Sequence, residues 1–293
     1  MTPLPKTVVK WPGGKAQHVA RMMRYPPPFE PRVIIDALCG SAAFGLAAKQ
    51  HFPDATLVLN DQNGELVNAL LYIRDHADHL AEKLRLTPYS RGLFNQLRHD
   101  PPGTGFDGAF SWIIRNRQSV GGCLNHTGTG WSRDKEGKKL RQWARLPDDL
   151  RAMAAAICDA YIEQQDFEPL LLGSSRQTFG WDAEDSWTYL DPPYPGCARY
   201  YGCSEDPALH ERVARVANAC RGAVMVSYAD TPAFDAFSHL YAHWIATERF
   251  EAVQHMQVRS EGAGKGRRTE LLLLNYSPGG QAVLPGLAAT NGG

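Results

Sequence analysis

Trp187-Thr188-Tyr189-Leu190-Asp191-Pro192-Pro193-Tyr194 is the stretch on which the fold turns. Four apolar or β-favouring residues run straight into a carboxylate and two prolines, the pattern of a buried strand that stops where the acid begins. In an open α/β sheet, ligands sit in the crevice outside the carboxyl ends of the strands, so Asp191 is expected at a binding site. Taken alone, the four residues also fit a strand closing in an ordinary proline-rich turn.

The chemistry these residues suit is alkylation of an exocyclic amine on a heteroaromatic ring. Such a nitrogen shares its lone pair with the ring and is a poor nucleophile until the pair is drawn out of conjugation. Asp191 and the carbonyl of Pro192 can accept the two N–H bonds and favour the pyramidal nitrogen that frees it. Pro192 and Pro193 have fixed φ and no N–H, so they stiffen the turn without adding a competing donor. Tyr194 offers a flat face on which an unstacked base can rest.

Upstream, Val33-Ile34-Ile35-Asp36-Ala37-Leu38 reads as a central parallel strand, followed by Cys39-Gly40-Ser41-Ala42-Ala43-Phe44-Gly45 and a helix-favouring run. Strand, glycine turn and helix form a nucleotide cradle, with Gly40 allowing close approach. A full G-x-G-x-x-G is absent, so a dinucleotide is not indicated. A second strand, Thr56 to Leu59, leads to Asn60-Asp61. Asp61, roughly 20 positions past the glycine turn, is placed to bind ribose hydroxyls or, more plainly, to cap the next helix. Before both strands, Lys10-Trp11-Pro12-Gly13-Gly14-Lys15 sets glycines and an aromatic between two lysines, which suits a purine or sulfonium beside an anion, or simply a turn.

From Glu65 to about Ala156 the pattern turns helical. Thr87-Pro88 predicts the start of a helix over 89–98, Phe106 to Asn116 a second helix, and Pro147 the start of a third. Between them lie Arg115-Asn116-Arg117, the Gly-rich 121–131 hairpin or Ω-like loop with Asn125, and a basic segment carrying Arg133, Lys135, Lys138, Lys139, Arg141 and Arg145. Such a segment can hold phosphates and reach base edges, although most charge runs are merely solvated. Tyr161 to Phe167 reads as a strand rejoining the sheet, its Asp166 and Phe167 suited to an adenine ring or to a plain strand cap. Asp206-Pro207 predicts a helix, Ala223 to Tyr228 and Leu271 to Leu274 two more strands, Gly262 to Arg268 a basic loop, and the tail from Ser277 disorder.

The chain of 293 residues balances 31 basic against 31 acidic side chains, which argues against a uniformly basic coat and permits local basic patches. No apolar run is long enough to span a bilayer, the first residues lack a signal-peptide core, and the six cysteines are scattered without metal-ligand spacing. A cytoplasmic protein with no metal and no membrane partner is expected.

Together these motifs make the chain resemble the Dam-type, alpha-class DNA N6-adenine methyltransferases, in particular variants from phages and prophages, over nearly its whole length. The resemblance rests on Lys10 to Lys15, Asp36 to Ala42, Asn60-Asp61, Asp191 to Tyr194, Arg115 to Arg117 with Gly121-Gly122, and Arg268 to Leu271. It implies a Rossmann-like α/β sheet of about seven strands with one reversed near the end. The catalytic domain would be 1–64 and 157–293, and a mainly helical target-recognition insert would be 65–156. It further implies S-adenosylmethionine held by Trp11, Lys15, Asp36, Gly40, Asp61, Asp166 and Phe167, and duplex DNA held by Arg115, Asn116, Arg117, Asn125, Arg133, Lys138 and Lys139. Catalysis would fall to Asp191, Pro192, Pro193 and Tyr194, by base flipping and direct in-line transfer, in a monomer or weak dimer of the restriction-modification kind. Two departures stand out: Ala42 replaces a common glycine, and 125–145 lacks the pattern that reads GATC. An N4-cytosine methyltransferase, or a non-catalytic DNA-binding protein of the same fold, are the rival readings.

Overall fold

The computed structural model describes residues 6–122, 130–173, 179–195, 197, 206, 208–246, 250–253 and 267–279. One sheet contains β1 (Val33–Asp36), β2 (Thr56–Asn60), β3 (Tyr161–Glu163), β4 (Ser186–Leu190), β5 (Ala223–Ala229), β6 (Ile245–Ala246), β7 (Phe250–Val253) and β8 (Arg267–Leu274). The strand order is β3-β2-β1-β4-β5-β8-β6, with β7 also paired to β8. β1 to β5 are mutually parallel, whereas β8 runs antiparallel to β5, β6 and β7. This is the sheet with one late reversed strand that the resemblance implied, with eight strands where about seven were expected.

Side chains alternate across the sheet because a strand's period is two. Ile34, Leu57, Leu59, Trp187, Tyr189, Met225 and Leu272 enter one apolar cluster, and Ile35, Val58, Leu190, Val224, Val226 and Leu273 the other. The first face is covered by α1 (Val19–Met22), α2 (Ala43–His51), α3 (Gly64–Asp75), α4 (Ala77–Arg85), α5 (Arg91–His99), α6 (Gly105–Gln118) and α7 (Lys138–Ala156). The second is covered by α8 (Phe167–Leu172), α9 (Leu209–Ala219) and α10 (Pro232–Ser238). Leu66, Leu70, Trp112, Ile113, Leu150 and Met153 from the segment between β2 and β3 share one core with the sheet.

Several elements differ from the sequence reading. α5 begins at Arg91 because Ser90, not Thr87, caps it, its hydroxyl accepting from the Leu93 N–H at 3.4 Å; the Thr87 hydroxyl instead donates back to the Lys83 carbonyl at 2.6 Å. The basic residues 138–145 are not loop but the first half of α7, which passes through Pro147 without ending. An interior proline costs about 3 kcal/mol. Burying Leu146, Leu150 and Met153 exceeds that, at roughly 1.5–3 kcal/mol each. β3 stops at Glu163, because Asp166 caps α8 by accepting from the Glu168 N–H at 2.9 Å. α9 starts at Leu209 rather than at Asp206-Pro207. Arg267 and Arg268 belong to β8, while 262–266, most of the Gly-rich 121–131 loop and the tail beyond 279 lie outside the described residues. The base of that loop is closed as a hairpin would be, by an antiparallel bridge between Ser119 and Trp131.

Candidate active site

β1 is flanked by β2 on one side and β4 on the other, so successive connections leave it in opposite directions. The crevice at such a switch point is where an open sheet binds ligands. Asp36 pairs in register with Tyr189, so Asp191, two residues later, emerges beside the glycine turn that follows β1. A small cavity of about 20 Å³, room for a single water, is lined there by Trp11, Lys15, Asp36, Cys39, Tyr189 and Asp191 among others.

The Asp191 carboxylate is gripped from two sides. The Lys15 amine donates to both its oxygens at 2.8 Å and to the Gly13 carbonyl at 3.1 Å. Ser227, on β5, donates to Oδ1 at 2.6 Å, and its own oxygen lies 2.8 Å from the Tyr189 hydroxyl. Burial, with Asp191 close by, pushes the Tyr189 phenol well above its usual range, so it stays protonated and can donate to Ser227. The Tyr194 hydroxyl donates to Glu270 Oε2 on β8 at 2.6 Å, and the Lys15 amine lies 4.9 Å from the centre of the Tyr194 ring. Ser227 was missed in the sequence, where the available signal was one hydroxyl inside the apolar run of β5; Glu270 lay within the Arg268 to Leu271 stretch but was given no role.

On the glycine side, Gly40 has φ of 45° and lies under the Trp11 indole, with which any Cβ at this position would collide. The Asp61 carboxylate accepts from the N–H groups of Gly40 at 3.0 Å and Asn63 at 2.9 Å. Desolvation raises its pKa despite those bonds. Asp36 is 1% exposed and accepts from the Gly45 N–H at 2.9 Å, fixing the start of α2. Desolvation pushes its carboxyl up to about 7, against the Gly45 hydrogen bond, with Asp191 and Asp61 contributing. Ala42 holds φ of 57°, but its methyl is buried in the core, not aimed at the cavity.

Trp11, Lys15, Asp36, Gly40 and Asp61 thus meet around Asp191, whereas Asp166 and Phe167 make their contacts elsewhere in the fold. Phe167 is buried in the second apolar cluster, with the Arg212 guanidinium 4.7 Å over its ring; Tyr194 belongs to the same cluster at 5% exposed, with the Lys15 amine over its ring. Asp166 spends one oxygen on its helix cap and the other on Gln62 and Arg212, at 2.8 and 2.6 Å.

Arg115-Asn116-Arg117 is likewise structural where DNA contact was expected. Arg115 is buried and paired with Glu65. Asn116, 1% exposed, accepts from the Lys10 N–H at 2.9 Å and donates to the Lys10 carbonyl at 2.7 Å, imitating a neighbouring strand. Arg117 donates to the Val8 carbonyl at 3.2 Å, and burial lowers its pKa. These residues clasp the N-terminal arm, so the motif reports a tertiary contact. Burial pushes the Lys10 amine down to about 7, with Arg117 and Lys139 adding to the effect.

Arg133 and Lys138 are exposed and Lys139 half-buried, whereas Asn125 lies outside the described residues. Lys138, Arg141 and Arg145, at i, i+3 and i+7 on α7, share a stripe. With Lys6 and Arg117 they line a cleft of about 550 Å³ floored by Ala16, Val19, Ala43 and Ala47 and opposed by Asp149 alone among its lining acids. Among the described residues, Lys6, Arg141 and Arg145 have no carboxylate partner, whereas Arg74, Arg151 and Arg215 are all paired. No described cluster of His, Cys, Asp and Glu could hold a metal, and no described helix is long and apolar enough to cross a membrane.

Among solved structures, the rRNA methyltransferase aviRa from Streptomyces viridochromogenes is similar at 12% identity over 92% of this chain and 90% of that chain, with a TM-score of 0.39. No curated protein matches the chain. The family model of the D12 class N6 adenine-specific DNA methyltransferases matches residues 11–256, a span that contains the glycine turn, Asp61 and the Asp191 to Tyr194 motif. With most of its length inside that match, the chain belongs to the D12 class of N6 adenine-specific DNA methyltransferases.

Proposed function

We propose that this enzyme uses S-adenosylmethionine to methylate an adenine flipped out of duplex DNA, with Asp191 and the Pro192 carbonyl accepting the N6 hydrogens and Tyr194 stacking on the base. The observation that carries this reading is the position of Asp191: at the switch point, one turn from the glycine cradle, its carboxylate held by Ser227 and its neighbouring aromatic held by Glu270. When bound, the cofactor supplies a methyl group on a sulfonium, already activated for transfer. The residues present fit it. Gly40 can lie against a ligand without a side chain, Trp11 offers an aromatic face, and Asp61, with two of about four acceptor sites used, keeps capacity for ribose hydroxyls. The Trp11 indole rests against Gly40 in this structure, so a ligand seated on that glycine takes the place the indole now holds.

Polarising the amine through a charged acceptor contributes roughly 1.5–3 kcal/mol per hydrogen bond. Holding the base in line contributes more, up to about 7–11 kcal/mol. Fixing Tyr194 and Asp191 therefore matters at least as much as their acidity. We assign duplex contact to the segment 65–156, through Arg133, Lys138, Lys139 and the basic cleft, whose cations suit phosphates and whose small apolar floor suits sugars. Such an enzyme works in the compartment that holds the DNA, here the cytoplasm.

The test is long-read sequencing of DNA from a methylation-deficient host expressing the wild type or Asp191→Ala. N6-methyladenine in a shared short motif with the wild type alone is expected. N4-methylcytosine would overturn the choice of base, and no modification from soluble, DNA-retarding protein would overturn the catalytic assignment.

A further inference from the structure

The catalytic carboxylate is not free in this structure. All three donors of the Lys15 ammonium are engaged, two on Asp191 and one on Gly13. An adenine amine seeking Asp191 meets a cation spread across both oxygens. The conflict deepens during reaction: as N6 takes up a methyl group it gains positive charge, shed only when a proton leaves. A lysine held at 2.8 Å from the acceptor opposes that charge and weakens the acceptor. Lys15 therefore needs a second seat close by.

The structure supplies one. Glu270 is 2% exposed, and its Oε2 lies 3.9 Å from the Lys15 amine, just beyond a direct hydrogen bond. The same oxygen already accepts the Tyr194 hydroxyl at 2.6 Å. A lysine ammonium sits on a flexible four-carbon stem and can cross such a gap by a change of side-chain torsion. Ser227 stays behind, its hydroxyl held from the Tyr189 side, and keeps Asp191 oriented.

We infer that Glu270 is a positioning residue: it holds Tyr194 by the phenol and takes Lys15 from Asp191 when the adenine amine arrives. This rests on the adenine reading above and adds to it a residue that acts through Lys15 and Tyr194 without touching the reacting atoms. Binding of the base and release of the acceptor are then coupled, since the Tyr194 face that receives the ring and the carboxylate that receives Lys15 are joined by one hydrogen bond.

Glu270→Gln tests this, because an amide still accepts the Tyr194 hydroxyl but has no charge to draw Lys15. The expected result is a fall in kcat of about tenfold or more, with affinities for S-adenosylmethionine and for unmethylated plasmid DNA, measured by calorimetry, within about threefold of wild type, the pattern of an interaction made only during reaction. Glu270→Asp, which restores the charge, recovers part of kcat. In a Lys15→Met background, Glu270→Gln costs less than about twofold more, because the two act as one unit. An unchanged kcat in folded Glu270→Gln, or an equal loss in both backgrounds, overturns the inference, as does a loss confined to cofactor affinity. Were the wild type to leave adenine unmodified, the adenine reading would fall independently of any Glu270 variant.

Discussion

Replacing Asp36 with asparagine should make the protein more stable, and increasingly so as pH rises. Asp36 lies 1% exposed under the glycine turn, and burial holds its carboxyl up near 7 rather than at the usual 3.8. Between those values the folded chain keeps a proton that the unfolded chain has released, so stability falls as pH rises through this window. At one pKa unit per 1.36 kcal/mol, the full span amounts to about 4 kcal/mol, of which about 2 to 3 kcal/mol falls between pH 5 and 8. Asparagine keeps an oxygen for the Gly45 N–H but carries no charge. Urea unfolding of both proteins at pH 5 and pH 8 measures the effect. The advantage of Asp36→Asn should grow by about 2 to 3 kcal/mol between the two conditions. An advantage independent of pH, or a variant less stable at pH 8, would refute the argument that burial of this charge costs the fold stability.

Asn116→Ala should destabilise by about 1–3 kcal/mol, since the Lys10 backbone loses both bonds to a buried amide; thermal or urea unfolding checks it, and a loss of DNA affinity at unchanged stability would restore the DNA-contact role. Arg141→Ala with Arg145→Ala should leave the fold intact, weaken DNA binding and reduce the slope of log affinity against log salt by about 2; an unchanged slope removes the cleft from the DNA path. Gly40→Ala places a methyl against the Trp11 indole at φ of 45° and should cut S-adenosylmethionine affinity at least about tenfold by calorimetry; unaltered affinity would separate Gly40 from the cofactor.

What the sequence determined by itself was whatever depends on local order. Short continuous apolar runs such as Val33 to Ile35 and Trp187 to Leu190 gave the strands, and a carboxylate with two prolines after the second marked the end of the sheet where a ligand is expected. The motif order placed Gly40, Asp61 and Asp191 in one crevice because parallel strands all present the same end there. What only the tertiary structure decided was the use of polar residues whose partners are remote in the chain. Arg115-Asn116-Arg117 looks the same on paper whether it faces DNA or clasps Lys10 some hundred residues away, and burial alone separates the two. Phe167 was legible as an aromatic after an acid, but which face of the sheet it entered depended on Asp166 capping α8. Ser227 was silent within its strand and Glu270, though inside the Arg268 to Leu271 stretch, had no readable role, since the meaning of both lies in the adjacency of β4, β5 and β8 to an N-terminal lysine, which exists only when the sheet has formed.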